Sequence, residues 1–159
     1  MSCKERLEAY LRENKIPFEV QHHARAITAQ EVAATEHVPG KMFAKTVMVM
    51  ADAEEMAMLM LPAPHHVNTE KAAAALGAGD VHLASEEQFG DTFPDCEVGA
   101  MPPFGSLYGV PVYVDDVLTE DEIIVFRAGT HTDTMSVRYA DFERLVEPTV
   151  AKFADPPSE

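Results

Sequence analysis

The sequence predicts a single α/β domain in which a mixed sheet packs against short helices. The chain has 159 residues, the size of one domain, and 47% of them are hydrophobic, enough for one core. Short segments with apolar residues at helical spacing are interleaved with apolar runs typical of strands. We expect the domain to span residues 1–150 and residues 151–159, which are rich in proline and acid, to form a flexible tail.

The elements follow from local patterns. The first are an amphipathic helix that ends near Asn14, a strand at 18–22, and a short helix that begins with the capping box at 28–31, Thr-Ala-Gln-Glu. The clearest strand, Phe43 to Met50, is followed by an acidic turn and a second apolar run, Met56 to Leu61. This pair predicts an antiparallel hairpin.

The second half of the chain is read from capping residues, glycines and β-branched runs. In chain order it contains a helix capped by Asn68 or Thr69 and ending at Gly77, a strand at 81–83, a helix opened by the capping box at 85–88, an ordered loop at 99–109, strands at 110–114, 123–126 and 134–138, and a helix at 139–145.

Composition excludes several classes of protein. No apolar run is long enough for a transmembrane helix, and the first residues contain no apolar core of a secretion signal. Cys3 and Cys96 are too few for a disulfide framework. Two free thiols are the favoured interpretation, although a single pairing stays open. We therefore expect a cytoplasmic protein with no membrane partner.

The formal net charge of −15 indicates that the chain is not a general nucleic-acid binder, because such proteins are usually basic. DNA is not an expected partner. Any contact with RNA has to be local, in one pocket with a few cations, since a broad phosphate footprint would be repelled and would depend strongly on salt.

Lys45 is the first candidate functional residue. It lies on the predicted strand 43–50, where it shares a face with Phe43, Val47 and Val49, and the opposite face is mostly apolar too. A buried ammonium is costly unless it is paired or faces a cavity, so Lys45 is a candidate for holding an anionic group. The alternative is a lysine near a strand end whose amine reaches solvent.

Two loops are further candidates. In Gly99-Ala100-Met101-Pro102-Pro103-Phe104-Gly105, prolines fix the backbone, glycines allow a ligand to approach closely, and Phe104 could stack on an RNA base. Gly129-Thr130-His131-Thr132-Asp133-Thr134 could offer backbone N–H groups to an oxyanion, with His131 positioning a water or contacting the substrate amine. Taken alone, a rigid turn and a polar hairpin turn are the simpler interpretations.

Other chemistries are disfavoured. The adjacent histidines at 22–23 and 65–66 cannot chelate on one strand, and no His-x-x-x-His or Cys-x-x-Cys spacing occurs, so we expect no metal and no cofactor. No Gly-x-Ser-x-Gly elbow occurs, and Cys96 lies between two acids that make a thiol less reactive. Asp115-Asp116 is a paired-carboxylate candidate, with an acidic turn as the simpler interpretation.

Four segments carry a family resemblance when they are taken in order: Phe-Ala-Lys-Thr-Val at 43–47, Gly-x-x-Pro-Pro-Phe-Gly at 99–105, Val-Tyr-Val-Asp at 112–115 and Ala-Gly-Thr-His at 128–131. The chain resembles the YbaK/EbsC family, which is related to the editing domain inserted in bacterial prolyl-tRNA synthetases. The resemblance covers about residues 5–147. The lysine strand and the proline loop are specific together and only suggestive apart.

The resemblance implies a mixed, mainly antiparallel sheet surrounded by helices. It also implies a deacylase that hydrolyses the ester between a wrong amino acid and the 3′ end of tRNA, without a metal or a covalent intermediate. Family members commonly act on proline tRNA carrying alanine or cysteine, and a synthetase is a candidate partner that presents the substrate. Lys45 matches the family's key lysine, and loop 99–105 matches the loop that holds the terminal adenosine.

The predicted site follows from this correspondence. Gly129 and His131 fall where some members place a further glycine and a substrate-facing histidine. The predicted catalytic residues are Lys45, Gly99, Gly129 and His131. The predicted substrate-binding residues are Thr46, Met101, Pro102, Pro103, Phe104, Gly105 and Thr130.

Two competing functions stay open. One is a non-catalytic module that keeps the pocket and binds a nucleotide, an aminoacyl group or a protein. Lys45 favours the enzyme, since a module without catalytic duty would be free to lose a costly residue. The other, a metal hydrolase, is disfavoured by the ligand spacing.

Overall fold

The structure, a computed structural model, describes residues 2–22, 41–52, 55–97, 99–120 and 122–156. The short helix predicted to begin at Thr28 lies outside these residues. In chain order the described elements are α1 (Cys3–Glu13), β1 (Glu19–His22), β2 (Lys41–Ala51), β3 (Glu55–Pro62), β4 (His66–Val67), α2 (Thr69–Leu76), β5 (Val81–Leu83), α3 (Glu86–Gly90), a 3-10 helix (Gly105–Tyr108), β6 (Val112–Asp115), a second 3-10 helix (Asp116–Glu120), β7 (Ile123–Arg127), β8 (Asp133–Arg138), α4 (Tyr139–Val146), β9 (Thr149–Ala151) and β10 (Ala154–Asp155).

The helix ends coincide with the residues that predicted them. Ser85 and Gln88 form the capping box that opens α3. Asn68, rather than Thr69, caps α2, and Gly77 follows it with a left-handed φ of 68°. None of the helices in the described part of the chain is long and apolar enough to cross a membrane.

The sheet is mixed and mostly antiparallel, as predicted. Its strand order is β1-β8-β7-β2-β3-β6-β9, and β5 pairs with the C-terminal end of β2. Among the described strands, β2–β7, β3–β6 and β6–β9 pair in parallel, and the remaining pairs are antiparallel. The predicted hairpin is confirmed as β2 and β3, with Lys45 opposite Leu61.

The central strand β2 is buried on both faces. Ala44 and Met48 belong to the main core, to which α1 and α4 contribute side chains. Val49 packs in a second apolar cluster with Ala72 of α2. The prediction that Lys45 lies on a strand with two apolar faces is therefore confirmed.

A change of neighbours along β2 opens a gap in the sheet. On the edge away from β3, the strand pairs with β7 up to Phe43 and with β5 only from Val49 onward. Between these points, no described strand pairs with that edge. The carbonyl of Met48 points to this side, where it accepts the N–H of Ala84 at 2.9 Å. Strand alternation therefore directs the N–H and C=O of Thr46 into the gap.

The C-terminal segment differs from the expected flexible tail. β9 pairs with β6, β10 pairs with β4, and Phe153 is fully buried. The carboxylate of Asp115 accepts the backbone N–H groups of Phe153 and Ala154, each at 3.1 Å, and so holds this segment on the sheet. Residues 151–156 are part of the fold, and Asp115 supports the structure rather than a paired-carboxylate site.

Cys3 and Cys96 form a disulfide, so the interpretation as two free thiols is wrong. The two residues are separated by 93 positions in sequence, yet their Cα atoms are 5.0 Å apart. The backbone N–H of Cys3 also donates to the carbonyl of Asp95 at 3.1 Å. Because the contact is made by tertiary packing, local sequence patterns could not reveal it. The bond joins α1 to the segment that leads into Gly99.

Candidate functional site

A cavity of about 240 Å³ opens beside the gap in the sheet. Its lining comes from β2, from the loop after α3, and from the end of β7 with the turn that follows. The lining residues are Phe43, Ala44, Lys45, Thr46, Gly99, Met101, Arg127 and His131. The structure therefore brings together five residues of the predicted site: Lys45, Thr46, Gly99, Met101 and His131.

Lys45 contributes a poorly solvated cation to this cavity. Its side chain is half-buried, and burial lowers the pKa of the Lys45 amine below its ordinary value. Within the described part of the chain, the amine makes no hydrogen bond or ion pair. Such a cation is well suited to an anionic group that enters from solvent.

Arg127 gives the cavity a second cation. Burial lowers its pKa as well, but a guanidinium stays protonated in proteins. No carboxylate belongs to the lining formed by the described residues. The cavity is thus locally positive in a chain whose formal net charge is −15.

Gly99 lets the loop approach the histidine closely. Its φ is +83°, and a Cβ atom added there would lie 3.4 Å from Cε1 of His131. Two residues earlier, a carboxylate oxygen of Glu97 accepts the backbone N–H of His131 at 2.8 Å. The loop and the turn therefore form one wall of the cavity.

Thr130 stabilises the turn and does not line the cavity. Its hydroxyl donates to Oδ2 of Asp133 at 2.6 Å and accepts the Asp133 backbone N–H at 3.0 Å. Burial raises the pKa of the Asp133 carboxyl, but hydrogen bonds from Thr130 and His22 outweigh it and hold this pKa below its ordinary value. An ionised Asp133 thus fixes the turn that presents His131.

Gly129 cannot supply the predicted oxyanion contact. Its N–H donates to the carbonyl of Ala100 at 2.9 Å, and its carbonyl accepts the N–H of Glu97 at 2.9 Å. Its φ is +96°, and a Cβ atom there would lie 2.8 Å from Sγ of Cys3. The predicted catalytic role is wrong, because Gly129 instead lets α1 and the disulfide pack against the turn.

Phe104 cannot stack on an RNA base, so this prediction is also wrong. Its ring is fully buried in the core, with the ring centroids of Phe126 and Phe142 each at 5.5 Å. Three other predicted substrate-binding residues of this loop are buried outside the cavity lining: Pro102, Pro103 and Gly105. A Cβ atom at Gly105 would lie 2.6 Å from the carbonyl oxygen of Val110, so this glycine lets the loop pack closely against the segment before β6.

Arg127 is the functional candidate that the sequence analysis missed. Its Nη1 lies 3.3 Å from Nδ1 of His131 and donates to the His131 carbonyl at 3.2 Å. Its position in the sequence could have indicated it, because Arg127 ends the apolar strand β7 directly before the Ala-Gly-Thr-His turn. Like Lys45, Arg127 is a cation in an otherwise apolar strand.

Among the described residues, one group has the composition of a metal site: Cys3, Asp95 and Cys96, whose ligand atoms lie within 4.8 Å of one another. The disulfide engages both sulfur atoms, so this group does not offer a thiolate pair in the structure. Of the histidines considered as ligands, His22 contacts Asp133 at 3.0 Å and His82 lies 3.8 Å from Asp80.

Comparison with known proteins gives two results. A family model described as "Aminoacyl-tRNA editing domain" matches residues 23–145, which is most of the chain. No curated protein matches the chain significantly.

Two solved structures share the fold at 17% sequence identity. One is a hypothetical protein with a TM-score of 0.83, and the match covers 94% of this chain and 99% of that one. The other is described as "a putative trans-editing enzyme for prolyl tRNA synthetase", with a TM-score of 0.82 and 98% of each chain covered. At this identity the likeness establishes the YbaK-like fold of the domain.

Proposed function

The chain belongs to the aminoacyl-tRNA editing domain family, and on that premise we propose that it hydrolyses the ester joining a wrong amino acid to the 3′ end of tRNA. The cavity is the observation that supports this proposal most strongly. It holds two half-buried cations, Lys45 and Arg127, beside an open strand edge, in a chain of net charge −15. This is the local, cation-lined pocket that RNA contact requires in an acidic protein.

Lys45 anchors the 3′ end of the RNA. Its amine has no partner among the described residues, and burial lowers its pKa because the charged form is incompletely hydrated. A phosphate oxygen supplies the missing interaction through a charge-assisted hydrogen bond. The anchor places the terminal ribose and its aminoacyl ester at the gap beside β2.

Hydrolysis of this ester requires few protein groups, because an aminoacyl ester is already activated and the neighbouring ribose hydroxyl assists its cleavage. Water adds to the carbonyl carbon, and the bond to the ribose oxygen breaks, which releases the amino acid and a free 3′ hydroxyl. The backbone N–H of Thr46, which faces the gap, and the loop at Gly99 provide the donors for the oxyanion. Neither a metal nor a covalent intermediate enters this scheme.

Selection is by size. A cavity of about 240 Å³ walled by Phe43, Ala44 and Met101 admits a small side chain and restricts larger ones. We propose alanine or cysteine on proline tRNA as the substrate. The family resemblance and the structural neighbour described as an editing enzyme for prolyl-tRNA synthetase support this choice.

The net charge of the chain is the reason to propose a synthetase partner. Outside the cavity, a net charge of −15 gives the chain little general attraction for tRNA. We propose that a synthetase presents the acceptor end, and that the protein acts in the cytoplasm, where tRNA is charged. The disulfide is then an exception among proteins of that compartment.

A deacylation panel tests the proposal. The purified protein is mixed with proline tRNA carrying alanine, cysteine, serine or proline, and with unrelated misacylated tRNAs. We expect release of a small wrong amino acid and protection of prolyl-tRNA, with protein-free buffer as the baseline. Turnover of no pair, with and without prolyl-tRNA synthetase, would contradict the enzyme and favour the non-catalytic binding module.

A further inference from the structure

Arg127 and His131 form a coupled pair at the cavity, and we infer that Arg127 is a positioning residue that holds His131 in the tautomer with its proton on Nε2. The inference about the tautomer rests on the geometry of this pair. Its catalytic consequence rests on the proposed deacylase function.

The chemistry of the two side chains determines the direction of the contact. Nη1 of Arg127 lies 3.3 Å from Nδ1 of His131. A guanidinium has only donors, so Nδ1 must be the acceptor in this contact. A neutral imidazole that accepts at Nδ1 carries its proton on Nε2.

The ring and its partner are fixed by further contacts. The same Nη1 donates to the His131 carbonyl at 3.2 Å, so the guanidinium spans the backbone and the ring of one residue. Glu97 accepts the His131 backbone N–H at 2.8 Å from the opposite loop. These contacts restrict both the position of the turn and the orientation of the ring.

The Nε2 edge of the His131 ring lies beside Gly99. A Cβ atom added at Gly99 would lie 3.4 Å from Cε1 and 3.8 Å from Nε2 of His131, so this edge of the ring borders Gly99. Gly99 and His131 both line the cavity that also holds Lys45. The Nε2 edge of the ring therefore borders the Gly99 wall of the cavity in which the proposed function places the aminoacyl ester.

The consequence for the reaction is a defined role for His131. With its proton on Nε2, the ring donates a hydrogen bond to the ester oxygen that gains negative charge when water adds. It does not accept a proton from the attacking water at that nitrogen, so it is a donor and not the general base. Arg127 acts through the ring and need not touch the substrate.

Nitrogen-15 NMR of the histidine ring tests this directly. Spectra of the wild type, Arg127→Met and Arg127→Lys are recorded at about pH 8, where an ordinary imidazole is neutral. The signals that are missing from the spectrum of His131→Gln are those of His131. We expect the wild type to show one tautomer with Nε2 protonated. Arg127→Met should show a mixture, and Arg127→Lys, which keeps a donor, should restore most of the wild-type pattern.

Two results would overturn the inference. The first is a wild-type His131 with its proton on Nδ1, a result that needs no variant to fold. The second is an Arg127→Met protein with native circular dichroism whose His131 spectrum matches the wild type.

Activity measurements separate this inference from the proposed function. We expect Arg127→Met to lower kcat severalfold, and by less than the ~100- to 1,000-fold that removal of an oriented donor costs, because part of the protein keeps the proton on Nε2. Arg127→Lys should recover part of the loss. If no tRNA is deacylated although the tautomer pattern is as expected, the proposed function fails and the positioning by Arg127 stands. If activity falls in Arg127→Met without a change of tautomer, Arg127 acts by direct contact and the positioning role is contradicted.

Discussion

Replacing Lys45 with methionine is expected to lower kcat/KM for deacylation about 30- to 5,000-fold, because losing one partner of a poorly hydrated charge pair costs about 2–5 kcal/mol. Methionine keeps the length and apolar stem of the side chain, so the strand and the cavity wall should be retained. The measurement is single-turnover hydrolysis of the misacylated tRNA that the wild type prefers.

The same variant should not be less stable than the wild type. Burial lowers the pKa of Lys45 in the folded state. The unfolded chain therefore binds that proton more tightly, and the folded state is penalised at pH 7. The penalty disappears as the pH rises through the folded-state pKa toward the ordinary lysine value. Lys45→Met should melt at or above the wild-type temperature at pH 7, and this difference should shrink at alkaline pH.

Lys152→Met is the matched control. It removes the same charge from an exposed side chain that contacts Asp116 at 3.6 Å, and Lys152 does not line the cavity. Exposed ion pairs contribute about 0–1 kcal/mol, so this variant should behave like the wild type. Equal losses of activity in both variants would indicate a general electrostatic effect and contradict the specific role of Lys45.

Removing the disulfide is expected to lower the free energy of unfolding by about 2–5 kcal/mol. A cross-link that closes a loop of this length restricts the unfolded chain strongly, and the 93-residue separation places it near the upper end of that range. The measurement is urea unfolding of the double variant Cys3→Ser/Cys96→Ser beside the oxidised wild type. The variant should also lose activity below its melting temperature, because Cys96 precedes the Glu97 that holds His131.

Reduction provides the internal control for this prediction. Dithiothreitol should shift the wild-type unfolding curve toward that of the double variant and leave the double variant unchanged. A fully reduced wild type, verified by its free-thiol content, with an unaltered curve would show that the disulfide adds no stability.

The sequence predicted those parts of the fold that depend on local patterns. The hairpin of β2 and β3 was predicted by two apolar runs around an acidic turn, and the ends of α2 by Asn68 and Gly77. Lys45 stood out because a charge interrupts an apolar strand. Each of these signals lies within a few residues of the feature that it predicts.

Features created by long-range packing were missed or misread. The disulfide joins distant segments, and the C-terminal strands depend on Asp115, 38 residues before Phe153. Phe104 looked like a stacking residue because a loop sequence does not reveal that its aromatic ring enters the core. The glycine of the Ala-Gly-Thr-His turn predicted an oxyanion donor, although the N–H of Gly129 donates to Ala100 in the neighbouring loop.

The most direct test of the central claim is to locate the aminoacyl end on the protein. The probe is an RNA minihelix of proline tRNA ending in 3′-alanylamino-3′-deoxyadenosine, whose amide replaces the ester and resists hydrolysis. Methyl NMR is recorded as it is added. We predict that the signals of Thr46 and Met101 shift. Shifts confined to Ile123 and Val137, in the larger groove of about 450 Å³ beside β1 and β8, would contradict the assignment of the site.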